Sequence, residues 1–168
     1  MEGILRISDT VQDSIVDGPG LRYVVFCQGC TLDCPDCHNP HTHDPDGGRL
    51  INIPEILEQI DRNPLLKGLT ISGGEPFLQA EGAAELARCA HDRGLDVWCF
   101  TGMTWEELNK PGAPSAWGVF LEQIDVLVDG PFIAKKRTLA LPWRGSGNQR
   151  IIDVQDSLES GQIIGLHN

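Results

Sequence analysis

The sequence lacks long hydrophobic runs. Its longest uninterrupted apolar stretch, residues 23–27, has five residues, whereas a membrane-spanning helix needs roughly 20. The opening residues, MEGILRISDT, contain neither the basic region nor the apolar region of a secretory leader. We therefore expect a cytoplasmic protein that has no membrane partner.

Positive charge is also scarce. Thirteen Lys and Arg residues face 24 Asp and Glu residues, which gives a formal net charge of −11. Binding to nucleic acid depends on basic side chains that neutralise phosphates, so the composition argues against a nucleic-acid partner. A protein or a small molecule fits the charge better.

Glycine and proline are too few to predict disorder. The chain has 19 Gly and 11 Pro among 168 residues, below the roughly 25–30% that is typical of disordered sequences. With 40% hydrophobic residues, the chain has enough apolar side chains for a core. The length predicts one domain that spans residues 1–168.

Strand and helix patterns alternate along the chain. The β-branched and aromatic content predicts five strands, at residues 22–27, 68–72, 95–100, 124–128 and 149–153. Helical periodicity predicts helices at 54–63 and 79–93, and residues 102–118 predict one short helix followed by a loop. The alternation indicates an α/β fold with a mainly parallel, curved sheet. A complete eight-fold barrel needs about 250 residues, so we expect a truncated, open partial (β/α) barrel.

Four unusual motifs each follow a predicted strand. They are QGCTLDC after the first strand, GGEP after the second, TG after the third and DGPF after the fourth. In parallel α/β folds, the loops at the carboxyl ends of the strands converge on one face and build the active site. The sequence therefore predicts that the four motifs form a single site.

The chain has six cysteines, and Cys30, Cys34 and Cys37 follow one another with the spacing C-x3-C-x2-C. In a reducing compartment, clustered thiols indicate metal binding or redox chemistry rather than disulfides. Three thiolates can hold an iron–sulfur cluster and leave one iron open for a substrate. The alternative adds Cys27 and gives a closed four-thiolate zinc or electron-transfer site. Because Cys27 ends a predicted strand, we expect it to pack as a small apolar side chain.

The three cysteines, followed after the next predicted strand by Gly73-Gly74-Glu75-Pro76, resemble the radical S-adenosylmethionine superfamily. The continuation CHNP at 37–40 and the segment SIVDGPGLR at 14–22 narrow the resemblance to activases of glycyl radical enzymes. The segments FTG, VLVDGPF and WRGSGNQR resemble the activases that serve anaerobic ribonucleoside-triphosphate reductase. One departure is Asp36, where the superfamily commonly has an apolar residue before the third cysteine.

This resemblance implies an enzyme with two cofactors. Cys30, Cys34 and Cys37 would hold a [4Fe-4S] cluster whose open iron binds S-adenosylmethionine. A low-potential donor such as flavodoxin or ferredoxin would supply an electron that cleaves the cofactor, and the 5′-deoxyadenosyl radical would take hydrogen from a glycine of the reductase. The cofactors carry the reactive chemistry, so no acid–base catalytic residue is expected.

The resemblance also implies roles for residues around the cofactor. The turn formed by Gly73, Gly74, Glu75 and Pro76 would meet the methionine amino group. Asp36 and His38, which flank the third cysteine, would touch the adenosyl part.

Other polar residues near the predicted site have more than one interpretation. Thr101 and Asp129 could contact ribose or bind a cation, or could be an ordinary turn hydroxyl and turn carboxylate. Arg144, Ser146 and Asn148 could hold the cofactor or an incoming glycine loop, and the sequence does not choose between these roles.

Two other functions are compatible with the cysteine motif. One is a radical enzyme that acts on a small molecule, similar to the short superfamily members that make deazaguanines. The other is a zinc or iron–sulfur binding module without catalytic activity. Reductive cleavage of S-adenosylmethionine would separate the binding module from the enzymes, and a glycyl radical on an added reductase would separate the two enzymes.

Overall fold

Seven strands form one open sheet in the computed structural model, which describes residues 3–32, 40–140 and 142–166. The order across the sheet is β3-β1-β2-β4-β5-β6-β7. In chain order the strands are β1 (Ile4–Ser14), β2 (Arg22–Cys27), β3 (Arg49–Asn52), β4 (Gly68–Gly73), β5 (Asp96–Phe100), β6 (Val126–Asp129) and β7 (Arg150–Asp153).

The sheet is mixed, so the prediction of a mainly parallel sheet is only partly correct. The central pairs β2–β4, β4–β5 and β5–β6 are parallel, as predicted. The pairs β1–β2, β1–β3 and β6–β7 are antiparallel. A parallel pair needs a crossover connection, usually a helix. Among the described residues between β6 and β7, a short 3₁₀ turn, Ala134–Lys136, is the only helical element, and β7 returns in the opposite direction.

Within the described ranges, five helices accompany the sheet, and none of them is long and apolar enough to cross a membrane. The first begins where the Asn52 side chain accepts a hydrogen bond from the Glu55 amide, which satisfies one of the first-turn N–H groups. The fourth overlaps the segment in which the sequence predicted a loop, so that part of the prediction is wrong. They are α1 (Ile53–Asp61), α2 (Ala80–His91), α3 (Trp105–Leu108), α4 (Ser115–Glu122) and α5 (Val154–Ser160).

The two faces of the sheet have different environments. Alternate strand residues such as Tyr23, Val25 and Cys27 join a large apolar core with side chains from all five helices. The residues between them point to the opposite face. There Trp98, Val126 and Val128 form a smaller buried cluster that no helix contributes to among the described residues. The helix-free face is therefore the one available to a ligand.

The amino ends of the central strands are held by a buried arginine. The side chain of Arg22 has no exposed surface. Its guanidinium donates to Thr70 Oγ1 at 2.7 Å, to the carbonyl of Leu69 at 3.0 Å and to the carbonyl of Pro19 at 2.9 Å, and it pairs with Asp96. Thr70 donates in turn to the carbonyl of Asp17 at 2.8 Å. These bonds fasten the segment between β1 and β2 to the helix-free face.

Removal of the Arg22 charge should destabilise the fold. In Arg22→Met, the buried acceptors lose their donors, and we expect the free energy of unfolding to fall by about 3 kcal/mol. Arg62→Met is the matched control, because Arg62 pairs with Glu58 on the surface and such pairs contribute at most about 1 kcal/mol. Urea unfolding followed by circular dichroism measures both. Equal losses would show that the Arg22 bonds do not hold this end of the sheet.

Candidate functional site

A cavity of about 600 Å³ lies at the carboxyl ends of the central strands on the helix-free face. The loops that follow β2, β4, β5 and β6 all contribute to its walls, as the order of motifs along the chain predicts. Its lining includes Cys30, Leu32, Thr42, His43, Gly73, Gly74, Thr101, Gly102, Gly130, Phe132, Trp143, Arg144, Gly145 and Gln149. A cavity of this size accommodates a small-molecule cofactor.

The floor of the cavity comes from the strands themselves. Phe26 and Ser72 are register partners across β2 and β4, and Phe100 and Val128 are partners across β5 and β6. All four line the cavity. Since alternate residues of a strand share a face, this floor is separated from the helix-covered core by the sheet. The floor is largely apolar and limits access of water from below.

Backbone bonds close the loop that carries the cysteine motif at its base. The Gly29 amide donates to the carbonyl of Thr42 at 2.6 Å, and the Cys30 amide donates to the carbonyl of His43 at 3.2 Å. Cys30 therefore lies at a fixed point on the cavity wall. Cys34 and Cys37, with Asp36 and His38, lie outside the described residues, and their assignments stay predictions.

The glycine turn after β4 is bonded to the start of the cysteine loop. The Gly74 amide donates to the carbonyl of Cys27, and the Glu75 amide to the carbonyl of Gly29, both at 2.8 Å. A Cβ on Gly73, which has φ of 100°, would lie 2.4 Å from the Cys27 nitrogen, and a Cβ on Gly74 would lie 2.4 Å from the Gly29 oxygen. Both positions therefore require glycine. The turn and the cysteine loop form one backbone unit.

Glu75 is turned away from the cavity and joins two of its walls. The carboxylate is fully buried and accepts hydrogen bonds from the Phe77 amide at 3.0 Å, from Thr101 Oγ1 at 2.8 Å and from the Gly102 amide at 2.9 Å. Burial raises the pKa of Glu75 to about 7, although the three donors partly offset the effect. The loops after β4 and β5 are thus held together by one buried carboxyl group.

The remaining predicted residues differ in whether they line the cavity. Thr101 lines it, whereas Pro76 is buried at the start of a 3₁₀ turn. Asp129 is buried, accepts a hydrogen bond from the Trp105 amide at 2.8 Å and pairs with Arg150. Neither Pro76 nor Asp129 is among the described residues that line the cavity.

Cys27 belongs to the apolar core. Its side chain has no exposed surface and lies on the helix-covered face. Burial, with a smaller contribution from the nearby carboxylate of Glu75, raises the pKa of Cys27 to about 12. Because this side chain lies on the face of the sheet opposite the cavity, its position favours the interpretation of Cys27 as a packing residue.

Two polar atoms at the cavity have no hydrogen-bond partner within the described part of the chain. They are Nε2 of His43 and Nε of Arg144, both buried, and both residues line the cavity. A buried polar atom without a partner costs about 1–3 kcal/mol, so these atoms suit a polar ligand. The choice of Arg144 over its neighbours was open at the sequence level. Ser146 and Asn148 are bonded to each other at 2.6 Å, and they support the wall rather than line it.

The cavity is also lined by Phe26, Phe100 and Trp143, which are not among the predicted site residues. Trp143 has φ of 63°, the only positive value for a non-glycine residue in the described ranges, and its ring meets that of Trp98 edge-on at 5.9 Å. Phe26 and Phe100 lie in predicted strands. The alternation of side chains along each strand was the one signal that could have placed them on the face opposite the core.

Comparisons with known proteins cover most of the chain. The family described as a 4Fe-4S single cluster domain matches residues 16–152. The anaerobic ribonucleoside-triphosphate reductase-activating protein of Escherichia coli K12 is 32% identical over 144 residues, which cover 80% of this chain and 90% of its own length. The protein of the same name from Enterobacteria phage T4 is 31% identical over 151 residues, which cover 85% of this chain and 90% of its own length.

Two other likenesses cover less of the chain. The pyruvate formate-lyase-activating enzyme of Clostridium pasteurianum is 39% identical over 95 residues, which cover 54% of this chain and 40% of its own length. Among solved structures, a crystal structure of QueE from Escherichia coli has 17% sequence identity and a TM-score of 0.48 over 60% of this chain and 54% of that chain. This structural likeness is too low to add to the assignment.

The buried carboxyl group of Glu75 should make stability depend on pH. Its pKa in the folded protein, about 7, lies above the ordinary value of 4.5, so the folded form binds the proton more tightly than the unfolded form. The contribution of Glu75 to the free energy of unfolding should therefore fall by about 3 kcal/mol as the pH rises from about 4.5 to about 7, and stay level above that. In Glu75→Gln this component should vanish, because the amide does not titrate.

Urea unfolding of the apoprotein at several pH values, for the wild type and Glu75→Gln, measures this difference. Glu122→Gln, at the exposed end of α4, controls for the loss of one carboxylate elsewhere and should keep the slope of the wild type. The same slope in Glu75→Gln as in the wild type would contradict the titration of Glu75 in this range.

Proposed function

Because the chain belongs to the radical S-adenosylmethionine activases of glycyl radical enzymes, we propose that it generates a glycyl radical on anaerobic ribonucleoside-triphosphate reductase. The whole of residues 1–168 acts as one domain with this function, in a truncated, open barrel. Long matches to reductase-activating proteins support the choice of reductase over other glycyl radical enzymes.

One geometric observation carries this proposal. Cys30 and the turn at Gly73 and Gly74 border the same cavity, and the backbone of Gly29 joins them. The proposed cluster ligand and the proposed ligand-binding turn would therefore act together at the carboxyl ends of the parallel strands, where α/β folds bind their cofactors.

The residues at the cavity fit the cofactors of the family. Cys30, Cys34 and Cys37 would hold the [4Fe-4S] cluster, and three thiolates leave one iron for another ligand. The unpartnered atoms of His43 and Arg144 suit the polar groups of S-adenosylmethionine. When bound, the two cofactors would supply a one-electron reductive cleavage of the sulfonium, with methionine as one product, and the removal of a hydrogen atom from glycine.

The protein side chains would orient the reactants and exclude water. Gly73 and Gly74 line the cavity, where their turn would meet the methionine part, and Thr101 lies on the neighbouring wall. Phe26 and Phe100 form an apolar floor that keeps water from a reactive intermediate. Glu75 is a positioning residue, because its carboxylate holds two walls together and its side chain does not line the cavity. Asp129 would act in the same indirect way through Arg150.

The proposal includes partners beyond the cavity. A reduced flavodoxin or ferredoxin is the candidate electron donor, and the reductase is the protein substrate. A cytoplasmic location would keep the cysteines reduced.

Two cysteine substitutions should have opposite effects on iron content. Cys30→Ala removes a proposed ligand, so anaerobically reconstituted protein should lose most of its iron and form no 5′-deoxyadenosine. Cys27→Ala should keep iron and cofactor cleavage near the level of the wild type, because Cys27 lies in the core. Iron analysis and chromatography of the products measure both. Loss of the cluster from the Cys27 variant would favour the closed four-thiolate site.

Electron paramagnetic resonance of the reduced protein tests the proposed function directly. We expect the signal of a [4Fe-4S] cluster that changes when S-adenosylmethionine is added, and a glycyl radical signal when the reductase is also present. A cluster that does not respond to the cofactor would indicate a binding module. Cleavage of the cofactor without a glycyl radical on the reductase would indicate a small-molecule enzyme.

A further inference from the structure

Basic residues are unevenly distributed along this acidic chain. Residues 130–152 contain five Lys and Arg residues and no Asp or Glu. The rest of the sequence therefore has eight basic residues against all 24 acidic ones. Arg150, one of the five, is neutralised by Asp129 and Glu106. A local excess of positive charge remains next to a strongly negative body.

Three of the basic residues form an exposed row, which we call the basic edge: Lys135, Lys136 and Arg137. None of them forms an ion pair with another residue in the described ranges. Leu139 lies two residues after Arg137 and is 99% exposed. The basic edge therefore offers both charge and apolar area to a partner. Complementary charge raises the association rate of two proteins and sets their orientation.

The backbone under the basic edge is held in place. Gly147 donates its amide to the carbonyl of Lys136 at 2.8 Å, and Arg137 and Ser146 form an antiparallel bridge. The Arg137 guanidinium lies 5.3 Å from the centre of the Phe132 ring. Cations on a fixed framework lose less conformational entropy on binding than cations on a flexible tail.

The same framework forms one wall of the cavity. Phe132, on which Arg137 lies, lines the cavity, and so do Trp143, Arg144 and Gly145 on the returning segment. The basic edge is therefore on the outer side of a wall whose inner side faces the cofactor site. A protein segment that binds to the basic edge is next to the cavity.

We propose that the basic edge is the docking surface for an acidic segment of the glycine-bearing protein substrate. This inference rests on the proposed function, in which the glycine must reach the cavity because the radical forms there. An electron donor has no such requirement, because an electron can reach the cluster without entry of the donor into the cavity. The 24 acidic residues elsewhere would repel an acidic partner, so the basic edge selects both the partner and its orientation.

A charge-reversal variant tests the docking surface. In Lys135→Glu/Lys136→Glu/Arg137→Glu, all three changes are at exposed positions. With dithionite as the reductant, we expect the KM for the reductase to rise by roughly 10-fold or more at low salt, with little change in kcat. For the wild type, the KM should rise as salt increases from about 0.05 to 0.3 M. Formation of 5′-deoxyadenosine without the reductase should stay unchanged, because the cavity is intact.

The matched control is Arg49→Glu/Lys67→Glu/Lys110→Glu, which makes the same change in net charge at exposed positions away from the basic edge. We expect it to raise the KM for the reductase by less than about 3-fold. Equal effects of the two triple variants, or no effect of either, would overturn the proposal. A defect of the first variant that appears only when flavodoxin replaces dithionite would assign the basic edge to the electron donor and would also overturn it.

Direct binding separates this inference from the proposed function. Sedimentation velocity with the intact reductase measures the affinity without turnover. The reductase could bind the basic-edge variant more weakly than it binds the wild type and the control, while none of the three proteins forms a glycyl radical. That result would support the docking surface and count against the proposed function. If the basic-edge variant binds the reductase as the wild type does and gives a normal yield of glycyl radical, the docking surface is overturned and the proposed function is supported.

Discussion

The buried carboxyl group of Glu75 is the constraint on which the geometry of the site depends. It is fully enclosed, and its donors come from the loop after β4 and from the loop after β5. The backbone of the same turn is bonded to the start of the cysteine loop. Three of the four loops around the cavity are thus connected through residues 73–76. Because burial of this group is costly unless its donors are in place, the walls cannot separate without a penalty.

The sheet divides structural and chemical tasks between its two faces. The helix-covered face holds most of the apolar core, including Cys27 and Cys99. The helix-free face presents Phe26, Ser72, Phe100 and Val128 to the cavity. A one-residue shift in strand register would exchange these sets. The spacing of the motifs therefore matters as much as their composition, since it decides which side chains border the cofactor site.

Much of the fold and part of the site could be predicted from the sequence. The strands at 22–27, 68–72 and 95–100 were found because β-branched and aromatic residues are concentrated there. β1 was missed because residues 8–13 are half-buried or exposed and show no apolar alternation, and β3 because it has four residues. The prediction that the loops after four strands form one site agrees with the structure, because the loops after β2, β4, β5 and β6 all line one cavity. The position of Arg144 in the cavity wall depends on tertiary packing, which no local sequence pattern encodes.

The buried Arg22 side chain and its hydrogen bonds also bear on the order in which ligands bind. It fills the helix-free face at the amino ends of the strands, so the cavity opens at their carboxyl ends, beside the framework of the basic edge. Under the proposed function, the small cofactor and the large protein substrate use the same side of the molecule. If a docked protein covered the opening of the cavity, S-adenosylmethionine would have to bind before the reductase, and the cleavage products would leave after it.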